Sequence, residues 1–243
     1  MKNQIAISTG LVYKFYPDQP SRIQRMKPLF EGGYGIEICI ADPAYLLSFD
    51  PDEVLIAYLK TLPCVSLHAP WIGMTYGDNE LCHSVLEKLQ YLSKTLNAKH
   101  IIVHSGWTKN YDIFRKYGLK ILVENEDYKL PDSSTPDQIA QILQENPDIG
   151  FNFDFAHALT IGADTVRSFI DRFGSQIVQV HMSHLSRGVR DHNFLCRDAE
   201  PWVLELLQYF KDRIKAPLVL ENVAQTEEEI DMIREEITFL RNF

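Results

Sequence analysis

Eight short apolar runs rich in β-branched residues alternate with longer stretches of helical periodicity along the 243-residue chain. This pattern predicts an α/β protein whose parallel strands are covered by outer helices. Eight strand-helix units of about 30 residues each have the dimensions of a single-domain (β/α)8 TIM barrel. No strand leads into a G-x-G-x-x-G or P-loop glycine pattern, so the competing open, doubly wound sheet lacks its phosphate-binding turn. With no low-complexity tract and no Gly/Pro/Ser-rich linker, residues 1–243 read as one domain.

The predicted strands are residues 5–8, 35–40, 64–68, 100–104, 120–124, 150–154, 177–181 and 217–221. Helix starts are marked between them. Asp50-Pro51-Asp52-Glu53 offers an N-cap, a proline at the first helical position and a glutamate at the capping-box position. Thr135-Pro136-Asp137-Gln138 and Thr226-Glu227-Glu228-Glu229 repeat that logic, and the glutamate run is a helix start that favours negative charge. The third helix carries its predicted buried stripe on Leu81, Val85, Leu89, Leu92 and Leu96, with Glu87 and Lys88 on the opposite side.

A chain of this size buries roughly 70–75% of its unfolded surface, so a bound metal would serve chemistry rather than folding. The net charge of −9 argues against a non-specific polyanion binder and suits a cation site. Cys39, Cys64, Cys82 and Cys196 form no CxxC pair, which predicts reduced thiols in a cytoplasmic protein. The first residues lack the apolar run of a signal peptide, and no stretch approaches a membrane span.

Six successive predicted strands, the third to the eighth, end on a residue able to bind a metal: His68, His104, Glu124, Asp154, His181 and Glu221. In a barrel these ends converge on the C-terminal mouth. Donors on rigid strands can meet one cation at about 2.0–2.2 Å without flexible loops. Mixed oxygen and nitrogen donors suit zinc, manganese, iron, cobalt or magnesium, and the absence of cysteine excludes a structural thiolate site. Glu124, Asp154, His181 and Glu221 form the predicted core. His157 lies three residues beyond Asp154, and Arg190-Asp191-His192-Asn193 lies in a loop that either folds over the site or stays solvated. Glu37, inside the second strand, is open between a polar layer of the barrel interior and a substrate contact. His184 reads as incidental, and His83 and His100 as structural or surface residues.

The runs Val65-Ser66-Leu67-His68-Ala69-Pro70-Trp71, Ile102-Val103-His104-Ser105-Gly106, Leu122-Val123-Glu124-Asn125, Asp154-Phe155-Ala156-His157-Ala158, Val180-His181 and Leu220-Glu221-Asn222 are telling in this order. They resemble the strand-end motifs of the xylose isomerase-like TIM-barrel superfamily, also called AP endonuclease family 2. It includes sugar isomerases and epimerases, dehydratases and endonuclease IV. For the isomerase branch the resemblance implies one divalent cation, zinc or manganese, on Glu124, Asp154, His181 and Glu221. The two glutamates would move a proton on a small sugar, polyol or sugar phosphate. His157 would contact a hydroxyl, Arg187 or Arg190 a hydroxyl or phosphate, and loop residues such as Trp71, Tyr76, Trp107 and Phe194 would set substrate choice.

For endonuclease IV the resemblance implies up to three zinc ions on His68, His104, Glu124, Asp154, His157, His181, His192 and Glu221, acting at abasic sites in DNA. Trp71-Ile72 resembles the residue pair that family presses into DNA. One position departs from the pattern: Arg190 stands where that family has an aspartate, with Asp191 next to His192. The chain also leaves little length for DNA-embracing loops and shows no basic cluster at the mouth beyond Arg187 and Arg190. The expectation is therefore a metal-dependent isomerase or epimerase, with a zinc endonuclease as the alternative.

Overall fold

Eight parallel strands pair in chain order and close into a barrel, β8 returning to β1. They are β1 (Ile5–Ser8), β2 (Gly35–Cys39), β3 (Val65–His68), β4 (Ile101–His104), β5 (Ile121–Glu124), β6 (Gly150–Asp154), β7 (Ile177–Met182) and β8 (Leu218–Leu220). The computed structural model describes residues 3–189 and 191–242. Around the barrel run α1 (Gln19–Phe30), α2 (Pro43–Ser48), α3 (Glu53–Leu59), α4 (Glu80–Leu96), α5 (Asp112–Lys116), α6 (Pro136–Glu145), α7 (Phe155–Ile161), α8 (Ala163–Phe173), α9 (Leu195–Asp198), α10 (Pro201–Arg213) and α11 (Met232–Asn242). This is the predicted TIM barrel.

Strand ends agree with the sequence reading to within a residue or two, whereas helix starts differ where two caps compete. Asp52, not Asp50, caps α3 by accepting a hydrogen bond from the Leu55 amide at 2.7 Å. Pro51 therefore precedes the cap instead of opening the helix. Thr135 and Gln138 form the predicted capping box at α6. After Thr226 the chain makes a 3-10 turn, Glu228–Asp231, before α11 begins. On α4, Val85, Leu89, Leu92 and Leu96 are buried as predicted, but Leu81 is exposed. Cys82 and Leu86 complete the buried face, and Leu81 lies at its edge in the first turn.

Gln179 on β7 donates a hydrogen bond to Glu37 on β2 at 3.0 Å, although β8 and β1 separate those strands in the sheet. The contact therefore crosses the lumen. Period-2 alternation then places Ser66, His68, Asn152, Asp154 and His181 inward as well, and sends Ile36, Ile38, Phe151, Phe153, Val180 and Met182 outward under the helices. The apolar core is the layer between sheet and helices. Inside the barrel a lower polar layer, with Glu37, Ser66, Asn152 and Gln179, supports the residues at the mouth.

Candidate metal centre

His68, His104, Glu124 and Asp154 are the last residues of β3 to β6, His181 is the penultimate residue of β7, and Glu221 directly follows β8. Their donor atoms gather in overlapping groups within 4.8 Å: Glu124, Asp154, His181 and Glu221; His68, His104 and Glu124; His68, His181 and Glu221; and Asp154, His157 and His192. Asp154 also caps α7, accepting a hydrogen bond from the His157 amide at 2.6 Å, which fixes both residues together. His192 arrives on the loop after β7. That loop is pinned by the Val223 amide donating to the His192 carbonyl at 2.7 Å and by Asn222 Nδ2 donating to the Asn193 carbonyl at 2.8 Å.

Four of the five imidazoles have one ring nitrogen hydrogen-bonded from behind, and the fifth, His181, has a carboxylate close behind it. His68 Nδ1 meets the Ala69 carbonyl at 3.1 Å, His104 Nδ1 meets Glu126 Oε2 at 3.1 Å, and His157 Nδ1 meets the Asn125 carbonyl at 2.9 Å. His192 Nδ1 meets Ser183 Oγ at 2.8 Å, and His181 Nε2 lies 3.0 Å from Glu37 Oε1. Such partners fix the ring of a ligating histidine and leave its other nitrogen for a cation. Four buried donor atoms of the cluster have no hydrogen-bond partner among the described residues: His68 Nε2, Glu124 Oε1, Asp154 Oδ2 and His181 Nδ1. Orphaned polar atoms at this depth are costly unless a cation takes them up, so the donor set fits a divalent ion.

Burial opposes ionisation of Glu124 and Glu221, yet His181 beside both holds each well below the usual carboxylate range. Asp154 is driven the other way, to about 8, by burial against its neighbouring carboxylates. Burial disfavours the His157 imidazolium, but Asp154 and Glu124 outweigh it and lift that group to about 9. His192 is pushed down to about 4, mainly by burial.

Comparison with known proteins places the fold. The family model for the xylose isomerase-like TIM barrel matches residues 32–243. The chain belongs to this family. Among solved structures it is similar to a D-tagatose 3-epimerase-like protein, at TM-score 0.65 and 19% identity over 98% of both chains. It is also similar to endonuclease IV from Thermus thermophilus, at TM-score 0.67 and 15% identity over 99% of this chain and 100% of that one. A third likeness is to the TTHB071 protein from the same organism, soaked with zinc chloride, at TM-score 0.62 and 18% identity over 98% and 99% of the two chains. At such identities the likeness is one of fold. Comparison with curated proteins gives no match.

Within this xylose isomerase-like barrel the predicted site residues fall into two sets. The eight metal candidates come together at the mouth. Trp71 packs against them, its ring 4.8 Å from His68 and 5.1 Å from His104. Arg187 is exposed on the loop after β7, donating to the Thr160 carbonyl at 2.8 Å and stacking over Tyr128. Arg190 lies outside the described residues. Tyr76 and Phe194 are fully buried in the apolar layer and so cannot line a substrate loop, contrary to expectation. Asp191, adjacent to His192, bonds Lys14 at 2.7 Å and Tyr13 at 3.0 Å. Glu126, Asn125 and Asn152, missed from sequence, buttress the ligands; Asn152 Nδ2 donates to Glu124 Oε2 at 2.9 Å. Glu126 follows Glu124 by two residues, in phase with the strand, and that spacing was the available signal.

Proposed function

We propose that the chain is a divalent-metal-dependent isomerase or epimerase acting on a small sugar, polyol or sugar phosphate. The observation that carries this reading is the convergence of Glu124, Asp154, His181 and Glu221 within 4.8 Å, with buried donor atoms left for a cation. When bound, zinc or manganese supplies stabilisation of negative charge on substrate oxygen as a carbon acid loses its proton. Glu221, 14% exposed at its side chain, is reachable from the mouth, whereas Glu124 is 1% exposed. Glu221 therefore takes the first proton, and Glu124, with Oε2 held by Asn152, works through Oε1. Both carboxylates are ionised at neutral pH, as bases must be. His157 contacts a substrate hydroxyl, Trp71 forms an apolar wall, and Arg187 or Arg190 takes a hydroxyl or phosphate.

The loops at the mouth favour a small substrate over DNA. They carry more acidic than basic residues, and Lys14 and Lys129 are each paired with a carboxylate. One observation favours the endonuclease IV-like zinc phosphodiesterase as a second reading: the three-residue groups around His68 and His192 overlap the main one, as a multinuclear hydrolytic site requires. The unpaired cysteines support a cytoplasmic location.

Elemental analysis and two assays separate the readings. About one metal per chain, turnover of a sugar or sugar phosphate, and loss of about 100-fold or more in Glu221→Gln are expected. About three zinc ions per chain with nicking of an abasic oligonucleotide would overturn the isomerase in favour of the nuclease.

A further inference from the structure

The sequence leaves Glu37 open between an interior polar layer and a substrate contact, and the structure decides where it stands. Its side chain is fully buried one layer below the mouth, on β2. Ser66 Oγ on β3 and Gln179 Nε2 on β7 both donate to its Oε2, at 2.9 and 3.0 Å. That double clamp leaves Oε1, which has no hydrogen-bond partner among the described residues, 3.0 Å from His181 Nε2, while His181 Nδ1 faces Glu124 Oε2 at 3.0 Å and Glu221 Oε2 at 3.3 Å. Glu37 thus stands on the far side of the imidazole from the candidate cation, out of reach of any substrate.

We infer that Glu37 is a positioning residue of the metal centre: it fixes the His181 ring with Nε2 protonated and Nδ1 open to the cation. The inference rests on the metal-centre reading above. A carboxylate behind a ligating imidazole sets its tautomer, holds its plane and raises its basicity, and losing it weakens metal affinity by about 10–100-fold. Of the five imidazoles at the mouth, His104 has the other carboxylate backing, from Glu126, whereas His68, His157 and His192 lean on carbonyl or hydroxyl oxygens. Ser66 and Gln179 come from two further strands, so the aim of Glu37 is set by barrel closure rather than by its own loop.

The test is zinc affinity of the full chain, measured by competition with a chromophoric chelator, for wild type, Glu37→Gln, His181→Asn and the double variant. Glu37→Gln keeps the shape and the Ser66 contact. It is expected to weaken zinc binding by about 10–100-fold while the melting temperature of the metal-free protein does not fall. In the His181→Asn background the same change is expected to add little, because there is no ring left to orient. Nitrogen-15 NMR of the zinc-loaded wild type is expected to show the His181 proton on Nε2. Unchanged affinity in Glu37→Gln, a full additional loss in the double variant, or a proton on Nδ1 would overturn the inference. Failure of the wild type to bind zinc or manganese would instead overturn the metal-centre reading itself.

Discussion

The His157 and His192 rings are 5.3 Å apart, yet their basicities move in opposite directions. Burial disfavours charge on both. His157 faces Asp154 and Glu124 closely enough to reverse that, and His192 does not. Asp154 and His157 titrate as one coupled pair raised above the ordinary range, so the metal-free centre holds a proton at neutral pH that a cation must displace. Both groups have values raised above their ordinary ones, so protons are bound below those values and released as pH rises through them. Zinc affinity is therefore expected to increase from about pH 6 to about pH 9, with proton release on binding that shrinks across the same range. Chelator competition at several pH values, with calorimetry in buffers of different ionisation enthalpy, checks this; a flat profile would count against these two groups as ligands. Six of the eight candidate ligands were legible because each stands at or next to a strand end; His157, on α7, and His192, on the loop after β7, were legible only from neighbouring motifs. Glu126, Asn152, Ser66 and Gln179 were not, because what they touch is set by residues distant in sequence.

At the scale of elements, the loop after β7 depends on a residue far along the chain. Glu236 on α11 is buried and accepts hydrogen bonds from the Leu195 and Cys196 amides at 2.9 and 2.8 Å, and from Asn222 at 3.3 Å. It thereby ties the start of α9, the residue after Glu221 and the segment bearing His192 to one helix. Glu236→Ala leaves those amides without a partner. It is expected to cost about 1–3 kcal/mol by urea denaturation and to increase hydrogen exchange in the 183–195 segment. A loss under 0.5 kcal/mol, taken as about the scatter of ordinary surface changes, would show that water replaces the carboxylate. The Thr135 box could be read from sequence because both partners lie within four residues. The choice of Asp52 over Asp50, and the exposure of Leu81, depended on where neighbouring elements begin.

At the scale of the whole molecule, six strands each bring one candidate ligand to a cluster that no single segment could assemble. A cation there links most of the circumference of the barrel, and it is expected to bind the folded chain alone. At a hundredfold excess over Kd this is worth about 2.7 kcal/mol. For a chain of this length the melting temperature should rise by about 5–10 °C on adding zinc or manganese, and EDTA should reverse it. Absence of any metal-dependent shift in scanning calorimetry would remove the cation from the site.

The order and spacing of strands, the parallel barrel and the residue types at its mouth were all determined by the sequence, since period, chain length and local caps act over short stretches. Only the closed barrel decided which of those residues bring their donor atoms together and which way each imidazole turns. It also placed Glu37 beneath His181 and left Tyr76 and Phe194 in the core. Those outcomes depend on side chains meeting across a lumen, between strands that are far apart along the chain.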